Sequence, residues 1–399
     1  MKVAIYNHTS LVSGAEISML LTAKSLTKAH PVIFAPEGEV LERARKQGTA
    51  VLAIPSYRAR MSKNPFRLMR DALGMALAGW RLSVLLKKQQ VDVIHANSIR
   101  AGIIAALFAW HHRTPLVWHL RDMPPQGLIG ILMKRLADTT SHAFIGISES
   151  VLSHFRHPRL EGRFHLIHNG VELQETDEGE RRRHRQNIRA ELGTPQDARV
   201  AVIIGQIAPW KRQEDAIRAA AELIGKGDDF YLWIVGEAKF RKENEEYLAG
   251  LKRMVEQLNI GNRVVFTGFR DDVLEICCAA DLLLLCSDNE PFGRVVIEAM
   301  SQGTPVIGTR AGGVPEIIQH NESGLLYPVA DTGKLAELMR AVLSDEKLRR
   351  RLGGNGQTRV KEEFTIARTA EKVEKVYARI ARREGAAGRS FDRREELTK

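Results

Sequence analysis

The sequence predicts an α/β protein made of two doubly wound parallel-sheet domains. Three observations carry this. The chain has 399 residues, more than one hydrophobic core usually serves, so two domains are expected. Short apolar runs alternate with helical stretches from end to end, the rhythm of strand–helix–strand crossover units. The runs are unbroken Val, Ile and Leu rather than apolar–polar alternation, as in strands covered on both faces.

The elements follow in order. "KVAIYNH" is a first strand, followed by a helix over about 15–29. Then come "PVIFAP", a helix at about 40–47, "AVLAIP", and a long helix with basic residues at about 65–89. "VDVIHAN", "PLVWHLRD", "HAFIGIS" and "FHLIHNG" are further strands running into loops. The pattern restarts at "RVAVIIGQIA", with a helix near 213–225, "FYLWIVGEA", a helix to about Leu258, "RVVFTGF", "ADLLLLCS", a helix after Pro291, and "TPVIGT". This predicts a first domain over 1–171, a second over 199–366 and a closing helix over 367–385. The stretch 172–198 is charged and poor in apolar residues, and reads as a linker with a polar helix. Its "RRRHR" reads as a solvated charge run, because no aromatics interleave with it. Residues 386–399 lack core residues and predict a mobile tail.

Charge divides unevenly. Residues 1–170 hold 22 Lys and Arg against 10 Asp and Glu, a balance of +12, while the whole chain is at +11. The excess therefore sits in the first half, and suggests an anionic partner there, such as a membrane surface or a phosphorylated acceptor. A nucleic-acid partner is not expected, since no recognised module or basic–aromatic surface is present. No apolar run reaches the roughly 18 residues of a membrane-spanning helix. "MKVAIYNHTS" lacks the pattern of a signal peptide, so a cytoplasmic location is expected. Cys277, Cys278 and Cys286 have no metal-ligand spacing and read as buried, reduced thiols.

Ligands of open parallel sheets bind beyond the carboxyl ends of the strands. In the first half, Ser13 and Gly14 precede a helix there, a small-residue loop that suits phosphate, although no G-x-G-x-x-G fingerprint is present. His95, His119 and His168 each end an apolar run, and His119, beside Arg121 and Asp122, is the one placed to face a ligand. In the second half, Lys211 lies just before a helix and can reach an anion as a mobile charge, with Arg212 next to it. "NEPFGRVVIEAM" sets Glu290 and Glu298 eight apart around Phe292 and Gly293. If the segment is helical throughout, with Pro291 in its first turn, the carboxylates lie roughly 12 Å apart along the axis and about 80° apart around it. Carboxylates that accept from hydroxyl pairs, with helix N–H groups between them, suit a sugar, a ribose and the diphosphate linking them.

The chain resembles glycosyltransferase family 4, retaining nucleotide-sugar transferases of the GT-B fold. The motifs that carry this are "EPFGRVVIEAMSQGTPVIGTRAGGVPEII", "IHNGVE", "IGISES", "VVFTGF" and "SGAE". The resemblance implies two facing Rossmann-like domains with a cleft between them and the donor held mainly by the second. It implies that Glu298 holds the ribose, and that Glu290 with the backbone of Phe292 and Gly293 holds the sugar. Arg294 and Val295 of the same block join the donor site. Lys211, Arg212 and the backbone at Gly14 would meet the diphosphate, and His119 the anomeric region. Gly268, Phe269 and Arg270 would lie near the base. Gln206 stands where many relatives have Arg, so Lys211 must balance more of the leaving charge.

These readings predict a metal-independent retaining transferase without cofactor, with His119, Glu290 and Lys211 as catalytic residues. The expected partners are a nucleotide-sugar donor, a glycan or lipid-linked acceptor, and the inner face of the membrane. The alternatives are a sugar-nucleotide epimerase or hydrolase on the same fold, and a non-enzymatic sugar- or anion-binding protein.

Overall fold

The computed structural model describes residues 1–55, 65–125, 127–174, 176–239 and 241–396. The chain divides into two units, 1–172 with 366–399, and 173–365. The basic segment "YRARMSK", residues 57–63 ahead of the long basic helix, lies outside the described residues.

The first unit contains β1 (Lys2–Tyr6), α1 (Gly14–Ser25), β2 (His30–Ala35), α2 (Glu39–Lys46), β3 (Ala50–Ala53) and α3 (Pro65–Lys88). It continues with β4 (Val93–Ala96), α4 (Ile99–Ala106), α5 (Ala109–His112), β5 (Leu116–Leu120), α6 (Gly127–Thr140), β6 (Ala143–Gly146), α7 (Glu149–Ser153) and β7 (Phe164–Leu166). The seven strands are parallel, in the order β3-β2-β1-β4-β5-β6-β7. Strand order reverses beside β1, so the crossovers to β2 and β3 cover one face and those from β4 onward the other.

The second unit contains α8 (Glu178–Glu191), β8 (Arg199–Ile204), α9 (Gln213–Gly225), β9 (Phe230–Val235), α10 (Lys242–Gln257) and β10 (Val264–Gly268). Then follow α11 (Val273–Ala279), β11 (Leu282–Leu285), α12 (Arg294–Ser301), β12 (Val306–Thr309), α13 (Val314–Ile317), β13 (Leu325–Tyr327), α14 (Thr332–Ser344) and α15 (Glu346–Glu363). Its six parallel strands run β10-β9-β8-β11-β12-β13, reversing beside β8. The chain then returns to the first unit through α16 (Ile366–Glu396), whose Val373, Val376, Tyr377 and Ile380 join a core with Val3, Ile5, Met19 and Val93.

Two expectations change. α16 also runs on to Glu396, through the stretch from residue 386 that reads as a tail. Its Arg, Glu and Ala residues are strong helix formers that need no core to favour a helix. The charged stretch 172–198 holds the expected polar helix as α8, but α8 belongs to the second unit and its Arg189 is wholly buried. Arg189 and Arg185 grip Asp281 at 2.9 and 3.1 Å, and Arg181 donates to the Gln302 carbonyl. "RRRHR" is thus partly a docking face rather than a solvated run. Lastly, the helix expected from Pro291 starts only at Arg294.

The three cysteines are free and buried, and burial pushes the thiols up, Cys286 to about 12.

Candidate active site

In the second unit the residues named from sequence collect at the carboxyl edge of the sheet. Gln206 follows β8, Gly268 ends β10 with Phe269 and Arg270 next, and Glu290 follows β11. Lys211 closes a 3-10 turn over Pro209–Lys211, and Arg212 takes a left-handed φ of 52° to open α9. Because β8 and β11 flank the reversal in strand order, the segments that follow them diverge and leave a crevice between their ends. Across it, Lys211 Nζ lies 2.6 Å from Glu290 Oε2. The ammonium also sits 4.3 Å from the Trp210 ring centroid, a cation–π contact.

Glu290 is fixed from three sides. Ser287 Oγ donates to the same Oε2 at 2.8 Å, while the Gly313 N–H donates to the Glu290 carbonyl at 2.8 Å. Between them Gly312 has φ +60°, and a Cβ there would stand 2.1 Å from that carbonyl oxygen. Only glycine permits so close a pass. The glycine-rich loop therefore shapes the site by clamping the Glu290 backbone. Ser287 and Gly312, which hold Glu290 in place, are not among the candidate residues named from the sequence. A serine three residues before Glu290, and a glycine pair after the next strand, were the available signals.

Glu290 and Glu298 are not joined by one continuous helix. Gly293, with φ +100°, is the N-cap of α12, and residues 288–293 bend instead. The expected 12 Å axial spacing therefore does not apply, because a left-handed residue cannot sit inside a right-handed helix. Pro291 lies outside the helix. Phe292 is buried, its ring 6.2 Å from that of Phe364, so its side chain is core. Glu298 is on α12, where Arg294 donates to its Oε1 from Nε at 2.7 Å and Nη2 at 2.5 Å. Val295 is half-buried on the same turn.

Gln206 donates from Nε2 to the Lys239 carbonyl at 3.1 Å, and its own carbonyl accepts from Gln213 at 3.0 Å. Lys239 pairs with Glu237 at 2.6 Å and lies 4.6 Å from the exposed Phe269 ring. Arg212 pairs with Asp215 at 2.7 Å and with Asp288 at 3.4 Å. Arg270 pairs with Asp272 at 2.6 Å and with Glu191. Each of these cations thus faces a carboxylate of its own.

In the first unit Gly14 opens α1, and a Cβ on it would meet nothing within 4 Å. Glu16 accepts from the Ser13 N–H at 3.1 Å and from its hydroxyl at 2.5 Å. His119 is buried in β5 and belongs to a hydrogen-bonded chain. Tyr377 Oη lies 2.6 Å from His95 Nδ1, and His95 Nε2 lies 2.9 Å from His119 Nδ1. Arg121 Nη2 is 3.3 Å from that same Nδ1, and can only donate. Neutral His119 therefore accepts at Nδ1 and carries its proton on Nε2, which is buried with no hydrogen-bond partner among the described residues. Burial, aided by the Arg121 charge, holds His95 at about 3 and His119 well below the usual histidine value, so both are neutral at pH 7. Arg121 also donates to Asn97 at 2.8 Å and Asn169 at 2.9 Å. The His168 carbonyl accepts from Thr369 Oγ1 at 2.9 Å. Among the described residues no group of three or more His, Cys, Asp or Glu could hold a metal ion.

Two family models match the chain: Glycosyltransferase Family 4 over residues 12–175 and Glycosyl transferases group 1 over 184–359. An uncharacterized glycosyltransferase of Methanocaldococcus jannaschii is 30% identical over 336 residues, covering 80% of this chain and 83% of that one. The chain belongs to glycosyltransferase family 4. This family 4 chain is also 33% identical over 195 residues to N-acetyl-alpha-D-glucosaminyl L-malate synthase of Bacillus anthracis, and there the match spans about half of each chain, 49%. It likewise spans 49% of a lipopolysaccharide core biosynthesis glycosyltransferase of Rhizobium meliloti. The fold matches the crystal structure of Anabaena HepE, solved with UDP and glucose, at a TM-score of 0.81 and 23% identity, over 95% of this chain and 99% of that one. The two parallel-sheet α/β units of this family 4 chain are those of the GT-B fold.

Proposed function

We propose that the protein is a retaining, metal-independent glycosyltransferase that moves a sugar from a nucleotide-sugar donor to an acceptor hydroxyl. The observation that carries this is the Lys211–Glu290 pair at the strand-order reversal of the second sheet. A donor diphosphate drawn to Lys211 would release Glu290 to accept from sugar hydroxyls. Negative charge grows on the departing diphosphate as the glycosidic bond breaks. Fixed positive groups aimed at it stabilise the transition state more than the ground state. Glu298, steadied by Arg294, suits the ribose hydroxyls, and exposed Phe269 offers a face for the base. The Nε2–H of His119, otherwise unpartnered, is suited to donate to a sugar oxygen. The acceptor hydroxyl attacks from the face the diphosphate leaves, and a leaving phosphate oxygen takes its proton.

We further propose a lipid-linked or cell-surface glycan precursor as acceptor and the inner leaflet of a membrane as workplace, from the +12 balance of residues 1–170. The test is incubation with UDP-glucose and other sugar nucleotides, with and without candidate acceptors and with EDTA. Release of nucleoside diphosphate only with an acceptor, undiminished by EDTA and with retained anomeric configuration, supports the reading. Equal release without an acceptor would indicate a hydrolase or epimerase, and no release with any donor would indicate a binding protein.

A further inference from the structure

Large apolar side chains exposed to solvent are concentrated on one part of the first unit. Among the described residues 18 are exposed, and 12 of them lie between Phe66 and Leu132. Six form a single stripe along α3: Phe66, Met69, Leu73, Leu77, Trp80 and Val84. They recur every three or four residues, so they share one helix face for roughly 27 Å. The opposite face, with Ala78, Leu82 and Leu86, is the one packed into the unit. A helix docked on a soluble domain normally turns its polar face outward; α3 is apolar on both. Leu128, Ile129, Ile131 and Leu132 are likewise exposed at the start of α6. α3 and α6 both contact α4, on the same side of the sheet. Trp110 beyond α4 is 69% exposed, next to the His111 ring that Trp80 also meets at 4.6 Å.

We infer that this face is seated in a lipid bilayer carrying anionic headgroups, with α3 lying in the plane of the interface. Charge decides between occupants. Arg70, Arg81, Lys87 and Lys88 are exposed along α3, and its one carboxylate, Asp71, is buried. A second copy of the chain on this face, related by a twofold axis, would set these cations against each other. An anionic leaflet complements them while the stripe enters the acyl boundary. Trp80 and Trp110, apolar rings with one polar edge, suit the headgroup level. No described helix is long and apolar enough to cross the membrane, so the contact is one of lying on the surface. The inference rests on the proposed membrane-bound acceptor for its purpose, but not for its physical basis.

The experiment is sedimentation of the full chain with phosphatidylcholine vesicles, with and without phosphatidylglycerol. It is combined with quenching of tryptophan fluorescence by bromine-labelled acyl chains. Binding to the anionic vesicles, weakened by salt, and quenching that vanishes in W80F/W110F are expected. L73E/L77E, both exposed positions, should lower vesicle partitioning about tenfold or more, with an unchanged melting curve and an unchanged thermal shift with UDP. Absence of vesicle binding, retained binding in L73E/L77E, or a dimer that L73E/L77E dissolves would each overturn the inference. The UDP shift reports the donor site separately, so its absence would count against the catalytic reading and not against this one.

Discussion

Lys211 and Glu290 neutralise each other across the reversal in strand order of the second unit, with Nζ 2.6 Å from Oε2. Both side chains are largely withdrawn from water, at 14% and 11% exposure, so neither charge is cheap to leave alone. Lys211→Met leaves the carboxylate with the Ser287 hydroxyl but no countercharge among the described residues, and Glu290→Gln leaves the ammonium over Trp210. Each single variant should melt earlier, and K211M/E290Q should be more stable than the sum of its parts by about 0.5–3 kcal/mol. A double-mutant cycle by thermal and urea unfolding measures this, and strict additivity would mean that the pair contributes nothing.

Arg294 is the positioning group for Glu298, with two nitrogens on one carboxylate oxygen. If its work is to hold Glu298 toward the ribose, Arg294→Met should raise KM for the donor and leave kcat less affected. Lys211→Ala, which removes charge facing the departing diphosphate, should instead cost roughly 2–4 kcal/mol in kcat/KM, with kcat itself reduced. Steady-state kinetics separates the two. A fall in kcat as large in R294M as in K211A would make Arg294 part of the charge stabilisation itself.

How far the sequence disclosed this site depended on the range of the forces involved. Helix α9 occupies 213–225, as its pattern predicts. Its apolar period and the acidic residues Glu214 and Asp215 in its first turn are local signals. The strands were legible for the same reason, as short runs of Val, Ile and Leu. The bend before α12 was not, because its cause is remote: Gly313 and Gly312 reach back to the Glu290 carbonyl from beyond β12. Arg189 gave no sign of burial, since its partner Asp281 is 92 residues away. The outward stripe of α3 was half legible. Its apolar content shows in the sequence, but which face the sheet covers does not.

The resemblance assigns the backbone of Phe292 to the donor site, while its side chain is core in the structure, against Phe364. The two roles separate in a variant. Phe292→Ala should destabilise the second unit by about 3–5 kcal/mol through the cavity it leaves, while Phe292→Leu should keep most of the stability and near-normal donor KM. Circular dichroism melts alongside kinetics decide it. A stable F292A with a much raised KM would return the residue to the ligand.

The first unit should lose stability in mild acid. His95 titrates at about 3 and His119 well below its usual value of 6.5, because burial and the Arg121 charge disfavour imidazolium. In the unfolded chain both regain ordinary histidine values, near 6.5. Below that pH the unfolded state therefore binds more protons than the folded one, and stability rises with pH. The contribution is fully present above about pH 6.5 and drains away as pH falls toward the folded values. Each histidine adds a slope of about 1.4 kcal/mol per pH unit in that window. Urea unfolding between pH 7 and pH 4.5 should show this slope for the first unit. His95→Gln, which removes one titrating imidazole from the Tyr377–His95–His119 chain, should make it shallower by close to one proton. Tyr377→Phe keeps both imidazoles and should preserve the slope while lowering stability uniformly. An H95Q protein with the wild-type slope would mean that His95 is not held neutral in the folded state, and the Nε2–H tautomer assigned to His119 would fall with it.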